Sequence, residues 1–115
     1  MANAVLYNGW NRPIPGRESD AYRHLMTECD SAFATFESQG WFESREHIAL
    51  TAHGAGPGGF MLLFGNRAKL DELRRTDAFE RVVMRMGMLF SDFAIVPGLN
   101  REGIEAVMKR NPDLA

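Results

Sequence analysis

Phe60-Met61-Leu62-Leu63-Phe64 lies between the glycine-rich stretch Gly54-Ala55-Gly56-Pro57-Gly58-Gly59 and the pair Gly65-Asn66. Five apolar residues bounded by turn signals are too few for a helix and far too few to span a bilayer. They read as a β-strand, and one apolar on both sides. That is the pattern of a strand covered on both faces. A fold that leaves one side of it bare is therefore incomplete.

Working upstream, Trp41 to His53 reads as a long strand. One face carries Phe42, Ser44, Glu46, Ile48, Leu50 and Ala52, and the other Trp41, Glu43, Arg45, His47, Ala49, Thr51 and His53. Before it, Tyr22, Leu25, Met26, Cys29, Ala32, Phe33 and Phe36 recur in steps of three and four. This predicts a helix over 17–39. Glu18 and Asp20 suit its first turn and Gly40 its end. Ala4 to Trp10 reads as the first strand, followed by a rigid loop, Asn11-Arg12-Pro13-Ile14-Pro15-Gly16.

Downstream, 67–75 looks helical through Leu70 and Leu73. Thr76 is placed to cap a second helical piece carrying Phe79, Val82, Val83 and Met86. Leu89 to Val96 is expected to be the last strand, broken by Pro97-Gly98. Asn100 is placed to cap a short final helix with Ile104, Val107 and Met108.

The order β-α-β-β-α-β with right-handed crossovers gives a four-stranded antiparallel sheet with both main helices on one side. Residues 1–115 are thus expected to be a single α+β domain of ferredoxin-like topology. Nothing in the sequence covers the sheet's other face except the short last helix. An apolar face left open is an interaction surface. A second copy of the same sheet would cover it with no new sequence, so a homodimer is expected.

Three features carry a resemblance: Trp10-Asn11-Arg12-Pro13, the strand ending His53-Gly54, and Lys69-Leu70-Asp71-Glu72-Leu73-Arg74 leading to Thr76-Asp77-Ala78-Phe79. They resemble an uncharacterised bacterial family of the dimeric α/β-barrel superfamily, in which two ferredoxin-like sheets pack face to face. The superfamily includes cofactor-independent monooxygenases, lactone isomerases, dehalogenating enzymes and haem-binding proteins. The resemblance implies the fold and the dimer, and fold alone does not choose among these chemistries.

The net charge of −2 offers no general attraction to nucleic acid or to an anionic membrane. A single cysteine, Cys29, excludes an intrachain disulfide and points to a reduced, cytoplasmic setting. It sits on the helical apolar stripe, where a thiol behaves as a small hydrophobe. Met1-Ala2-Asn3-Ala4-Val5 has neither the charged nor the apolar region of a signal peptide.

No motif names a reaction. The glycine stretch formally matches G-x-G-x-x-G, but a strand follows it where a dinucleotide site needs a helix. His47 and His53 are six residues apart, roughly 20 Å in an unbroken strand at ~3.3 Å per residue, too far to share one metal ion. No cofactor is expected. His53, where a strand meets the glycine turn, is the candidate general base. Trp10 and Arg12 offer an aromatic wall and an anion-binding guanidinium. Asp92 interrupts the apolar last strand and needs a partner there, with Arg45 or His47 in view. His47 completes the candidate ligand-binding set, if strand register turns it rather than Glu46 inward.

The leading functional reading is a homodimer that binds a small apolar or aromatic molecule, or acts on one without metal or nucleotide. A structural or interaction dimer without chemistry is the alternative. An RNA-binding module ranks lower. Leu6-Tyr7-Asn8 and Gly59-Phe60-Met61-Leu62-Leu63-Phe64 faintly resemble the two short motifs of the RNA-recognition motif, but Gly58 stands where a basic residue belongs.

Overall fold

The doubly apolar strand takes its place in a computed structural model that describes residues 2–51 and 56–114. Strands β1 (Ala4–Trp10), β2 (Ser44–Ala49), β3 (Gly59–Gly65) and β4 (Ala94–Leu99) form one antiparallel sheet in the order β2-β3-β1-β4. Helices α1 (Glu18–His24) and α2 (Asp30–Ser38) join β1 to β2. Helices α3 (Arg67–Leu73) and α4 (Asp77–Leu89) join β3 to β4, and α5 (Arg101–Arg110) follows. This is the α+β fold of ferredoxin-like topology that the sequence predicts.

Burial alternates along the two central strands. In β3, Gly59, Met61, Leu63 and Gly65 are buried while Phe60, Leu62 and Phe64 are half-buried. In β1, Ala4, Leu6, Asn8 and Trp10 are buried, and Val5 and Tyr7 are not. Leu6 lies opposite Leu63 and Tyr7 opposite Leu62, so the buried sets share one face. That face meets Leu25, Phe33 and Phe36 of the first helical segment and Leu70, Phe79 and Met86 of the second. Phe33, Phe36 and Phe79 form an aromatic cluster, with Phe33 edge-on to the other two at 5.6 and 5.9 Å.

The predicted first helix is present but interrupted. Leu25–Cys29 winds as a π-turn between α1 and α2. Such a turn inserts a residue into the helical ladder, and Thr27 Oγ1 donates to the Arg23 carbonyl within it. The helix ends at Gly40, whose φ of 84° is open to glycine. The Gly40 amide bonds the Glu37 carbonyl and the Trp41 amide the Phe36 carbonyl, which closes the end in a Schellman motif. Thr76 and Asn100 cap α4 and α5 as predicted, accepting from Phe79 N at 3.2 Å and Gly103 N at 2.9 Å.

Two boundaries differ from the sequence reading. Leu89 is the last residue of α4, and the final strand runs Ala94–Leu99 rather than 89–96. Met86 and Leu89 continue the i, i+3 core face of the helix, and that face outweighed the alternation of the next five residues. Pro97 and Gly98 do not break the strand; among the described residues β4 lies at the sheet edge, paired with β1, and an edge tolerates proline. Likewise β2 is the short segment Ser44–Ala49, not 41–53, because Trp41 and Phe42 are spent on the exit from α2.

The shortest dimension is 19 Å, room for one helix layer on one sheet. The radius of gyration, 15.4 Å, exceeds the roughly 13 Å of a compact chain this long. Among the described residues the sheet has one covered face and one open face. No helix among them is long and apolar enough to cross a membrane.

Candidate ligand site at the end of the sheet

The buried face of β1 presents Ala4, Leu6, Asn8 and Trp10 in turn, and Asn8 is the exception in chemistry. It is 3% exposed. Its Nδ2 donates to the Leu6 carbonyl at 3.1 Å and the Met61 carbonyl at 3.4 Å. Its Oδ1 has no donor among the described residues, a deficit that costs about 1–3 kcal/mol in an interior. Strand pairing places His47, Met61, Asn8 and Ile95 in one row across the sheet.

Trp10 ends β1 at 4% exposure. His47 meets its ring edge-on, centroids 5.6 Å apart at 88°, and Phe90 lies 5.7 Å away on another side. The register settles the direction of β2: His47, opposite Met61, turns to the helices, and Glu46, opposite Leu62, turns to the open face. Burial lowers the His47 pKa below its ordinary value, Asp30 opposes the shift and Arg45 adds to it. The imidazole is therefore neutral near pH 7. His47 remains exposed to solvent on its edge strand.

Arg45, next on the same face, does not meet Asp92. Its Nη1 lies 2.9 Å from Asp30 Oδ1 and its Nε 3.3 Å from Glu37 Oε1, clamping β2 to α2. Asp92 is not a strand residue at all. It lies exposed in the turn before β4 with a φ of 51°, a conformation aspartate tolerates better than most side chains. Its Oδ2 accepts from Asn11 Nδ2 at 2.9 Å. The expected pairing of Asp92 with Arg45 or His47 is thus replaced by a loop-to-loop bond. Cys29 is buried beneath this region, and burial with Asp30 pushes its thiol up to about 12. It stays protonated and unreactive.

Arg12 follows Trp10 in a loop that runs antiparallel to residues 89–92. Ser91 N donates to the Arg12 carbonyl at 2.7 Å, Asn11 N to the Ser91 carbonyl at 3.0 Å and Ile14 N to the Leu89 carbonyl at 2.8 Å. The β2–β3 connection reaches the same end: Gly58 N donates to the Trp10 carbonyl at 2.7 Å and Leu50 N to the Gly58 carbonyl at 2.9 Å. A Cβ on Gly58 would collide with the Asn11 carbonyl, so only glycine fits. His53 lies outside the described residues. Trp10 and His47 are in ring contact. The Arg12 and Asp92 segments are joined through Ser91 and Asn11 at the end of the sheet where β1 stops.

Two buried polar residues carry no signal in the sequence reading, Asn8 and His24. Asn8 is legible in retrospect as the one polar side chain in the inward set of β1. His24 is hidden by the π-turn, which alters the helical spacing just after it.

No protein-family model and no curated protein matches the chain. Solved structures that share its fold include the following two. Rv0793 from Mycobacterium tuberculosis is 19% identical at a TM-score of 0.57, over 84% of this chain and 92% of that one. A conserved protein from Methanosarcina mazei Go1 is 13% identical at a TM-score of 0.58, over 88% of this chain and 94% of that one. At these identities the likeness is one of fold.

Proposed function

We propose that the chain is a homodimeric small-molecule-binding protein of the dimeric α/β-barrel type. The observation that carries this reading is the open face of the sheet. Val5, Tyr7, Phe60, Leu62 and Phe64 stand side by side on it, with Ile48 and Val96 on the flanking strands. Ile48 and Val96 are exposed, and the Tyr7 and Phe60 rings lie 5.6 Å apart. An apolar sheet face of this kind is self-complementary about a two-fold axis. The family resemblance, its bacterial setting and the reducing, cytoplasmic environment that suits a single buried thiol belong to the same proposal.

The ligand is a small apolar or aromatic molecule held at the end of the sheet. Trp10 and His47 supply the wall, and Arg12 and Asp92 the polar rim. In the catalytic form of the reading, His53 is the general base, with neutral His47 beside the ligand. The imidazole takes a proton from an acidic C–H or O–H, and the electron pair stays on the substrate as its conjugate base. A dimer without chemistry is the second reading, favoured by the near-complete burial of Trp10 and the Asn11–Asp92 bond, both of which have structural roles.

Native mass spectrometry of ligand-free preparations tests the proposal. A mass of two chains, reduced to one by Leu62→Asp, supports it; a wild-type monomer overturns it. Retained mass that is lost in His47→Ala and His53→Ala separates the ligand-binding form from the bare dimer. A salt-sensitive RNA complex of the monomer would instead assign the Tyr7–Phe60 face to bases.

A further inference from the structure

A groove of about 750 Å³ runs between the π-turned first helix and α4, and its lining includes none of Trp10, Arg12, His47 and Asp92. We infer that it is a second ligand site, built for a small amphipathic carboxylic acid. The wall on the first helix is His24 and Glu28; α4 supplies Arg81, Met84, Arg85 and Met88, among others.

His24 is the strongest sign. It is 6% exposed, and neither ring nitrogen has a hydrogen-bond partner among the described residues. Glu28 Oε2 approaches Nδ1 to 3.3 Å, but not in the geometry of a hydrogen bond. An imidazole must offer at least one N–H and holds it unmet here at a cost. The groove it lines is the direction from which a partner can come. The π-turn that begins at Leu25 is a feature often kept at functional sites.

The opposite wall names the class of partner. Arg81 and Arg85 stand one turn apart on α4, and neither makes a hydrogen bond or ion pair among the described residues. The acids of the same wall already have a task, since Asp77 and Glu80 lie in the first turn of α4 and oppose its dipole. The two guanidinium groups have none, and a carboxylate is what their fork geometry fits. Met84 and Met88, 68% and 61% exposed, lie beside them as a flexible apolar bed. The volume lies in the range of small-molecule pockets. A carboxylate on Arg81 and Arg85, an apolar body on the methionines and a polar atom on His24 use every unexplained group of the groove.

The test is titration of the full chain, by calorimetry and by NMR of the histidine ring nitrogens, with octanoate, decanoate, phenylacetate and indole-3-acetate. Matched alcohols serve as controls. The inference expects saturable binding of at least one acid, binding weaker by about tenfold for its alcohol, and a shift of the His24 ring signals. Arg81→Ala with Arg85→Ala, both on the exposed side of the helix, is expected to lower acid affinity by about tenfold with the folded spectrum unchanged. His24→Gln is expected to weaken the same acid. No saturable acid binding, equal binding of acid and alcohol, or binding that survives the double arginine variant overturns the inference. Dimer mass and any ligand retained through His47 are unaffected by these variants, so the two sites are judged separately.

Discussion

The two faces of the sheet are built from the same strands and differ in what they demand of each residue. On the helix face, Leu63 is fully buried and its neighbours Leu6 and Met61 are nearly so. On the open face, Leu62 sits one residue away, half-buried beside Tyr7. One face is finished within the protomer. The other has apolar side chains but no covering layer among the described residues. In the proposed dimer, folding and assembly would fall to alternate residues of a single strand.

The largest expected effect comes from exchanging charge between those neighbours. Leu63→Asp buries an unpaired carboxylate and is expected to abolish cooperative unfolding in circular dichroism, a loss above about 4 kcal/mol. Leu62→Asp is expected to keep the folded spectrum and change the mass measured by light scattering from two chains to one. If both variants unfold, the open face is part of the protomer's own core and the contrast between faces is wrong.

Glycines sharpen the same contrast. A Cβ on Gly59, facing the helices, would lie 2.7 Å from the Trp10 ring and 2.8 Å from the Ile48 carbonyl. The carbonyl belongs to a paired strand and cannot give way, so Gly59→Ala is expected to cost about 1–3 kcal/mol in urea unfolding. A Cβ on Gly9, on the open face, would meet only the far end of the Tyr7 side chain. That ring can rise off the sheet, and Gly9→Ala is expected to cost less than about 1 kcal/mol for the protomer. In the proposed dimer it would also weaken association, because Tyr7 would stand up from the open face. Equal losses in the two variants would show that Tyr7 is as fixed as the Ile48 backbone.

Asn8 is a polar exception on the finished face. Asn8→Leu removes an oxygen without a donor, together with two hydrogen bonds from its amide. These changes oppose one another, and stability is expected to move by no more than about 1 kcal/mol. Asn8→Asp keeps the shape and adds a buried charge, and is expected to cost several kcal/mol by the same measurement. A large loss in Asn8→Leu would mean that the amide's bonds to Leu6 and Met61 hold the centre of the sheet.

The helix face was the more legible in sequence. The caps Thr76 and Asn100, the five-residue apolar strand, and Leu25, Cys29, Phe33 and Phe36 of the first helix follow from local chemistry and are found where the pattern puts them, whereas Tyr22 and Met26 of the same stripe are exposed. The end of α4 was not, because Leu89-Phe90-Ser91-Asp92-Phe93 alternates like a strand while its first residue completes a helical face whose partners lie far away in sequence. Asp92 was misplaced with it. The candidate residues Trp10 and His47 meet because register turns both to one side, and a slip of one residue would have parted them. His24 was lost to the π-turn, which no periodicity of 3.6 can anticipate.

The smallest expected effect tests how far the finished face extends toward its edge. His47 lies on edge strand β2, against Trp10 on one side and open to water on the other. Burial and Arg45 hold its folded pKa below the ordinary 6.5, against the pull of Asp30. Between that lowered value and 6.5, the unfolded chain binds a proton that the folded protein refuses. Stability is therefore complete above 6.5, falls as pH drops through this interval, and levels off once the folded imidazole is also charged. His47→Gln is expected to flatten the melting temperature across that interval and to leave it unchanged above pH 7. A slope that survives the substitution would place the acid sensitivity on another group and leave His47 as much a surface residue as Glu46 beside it.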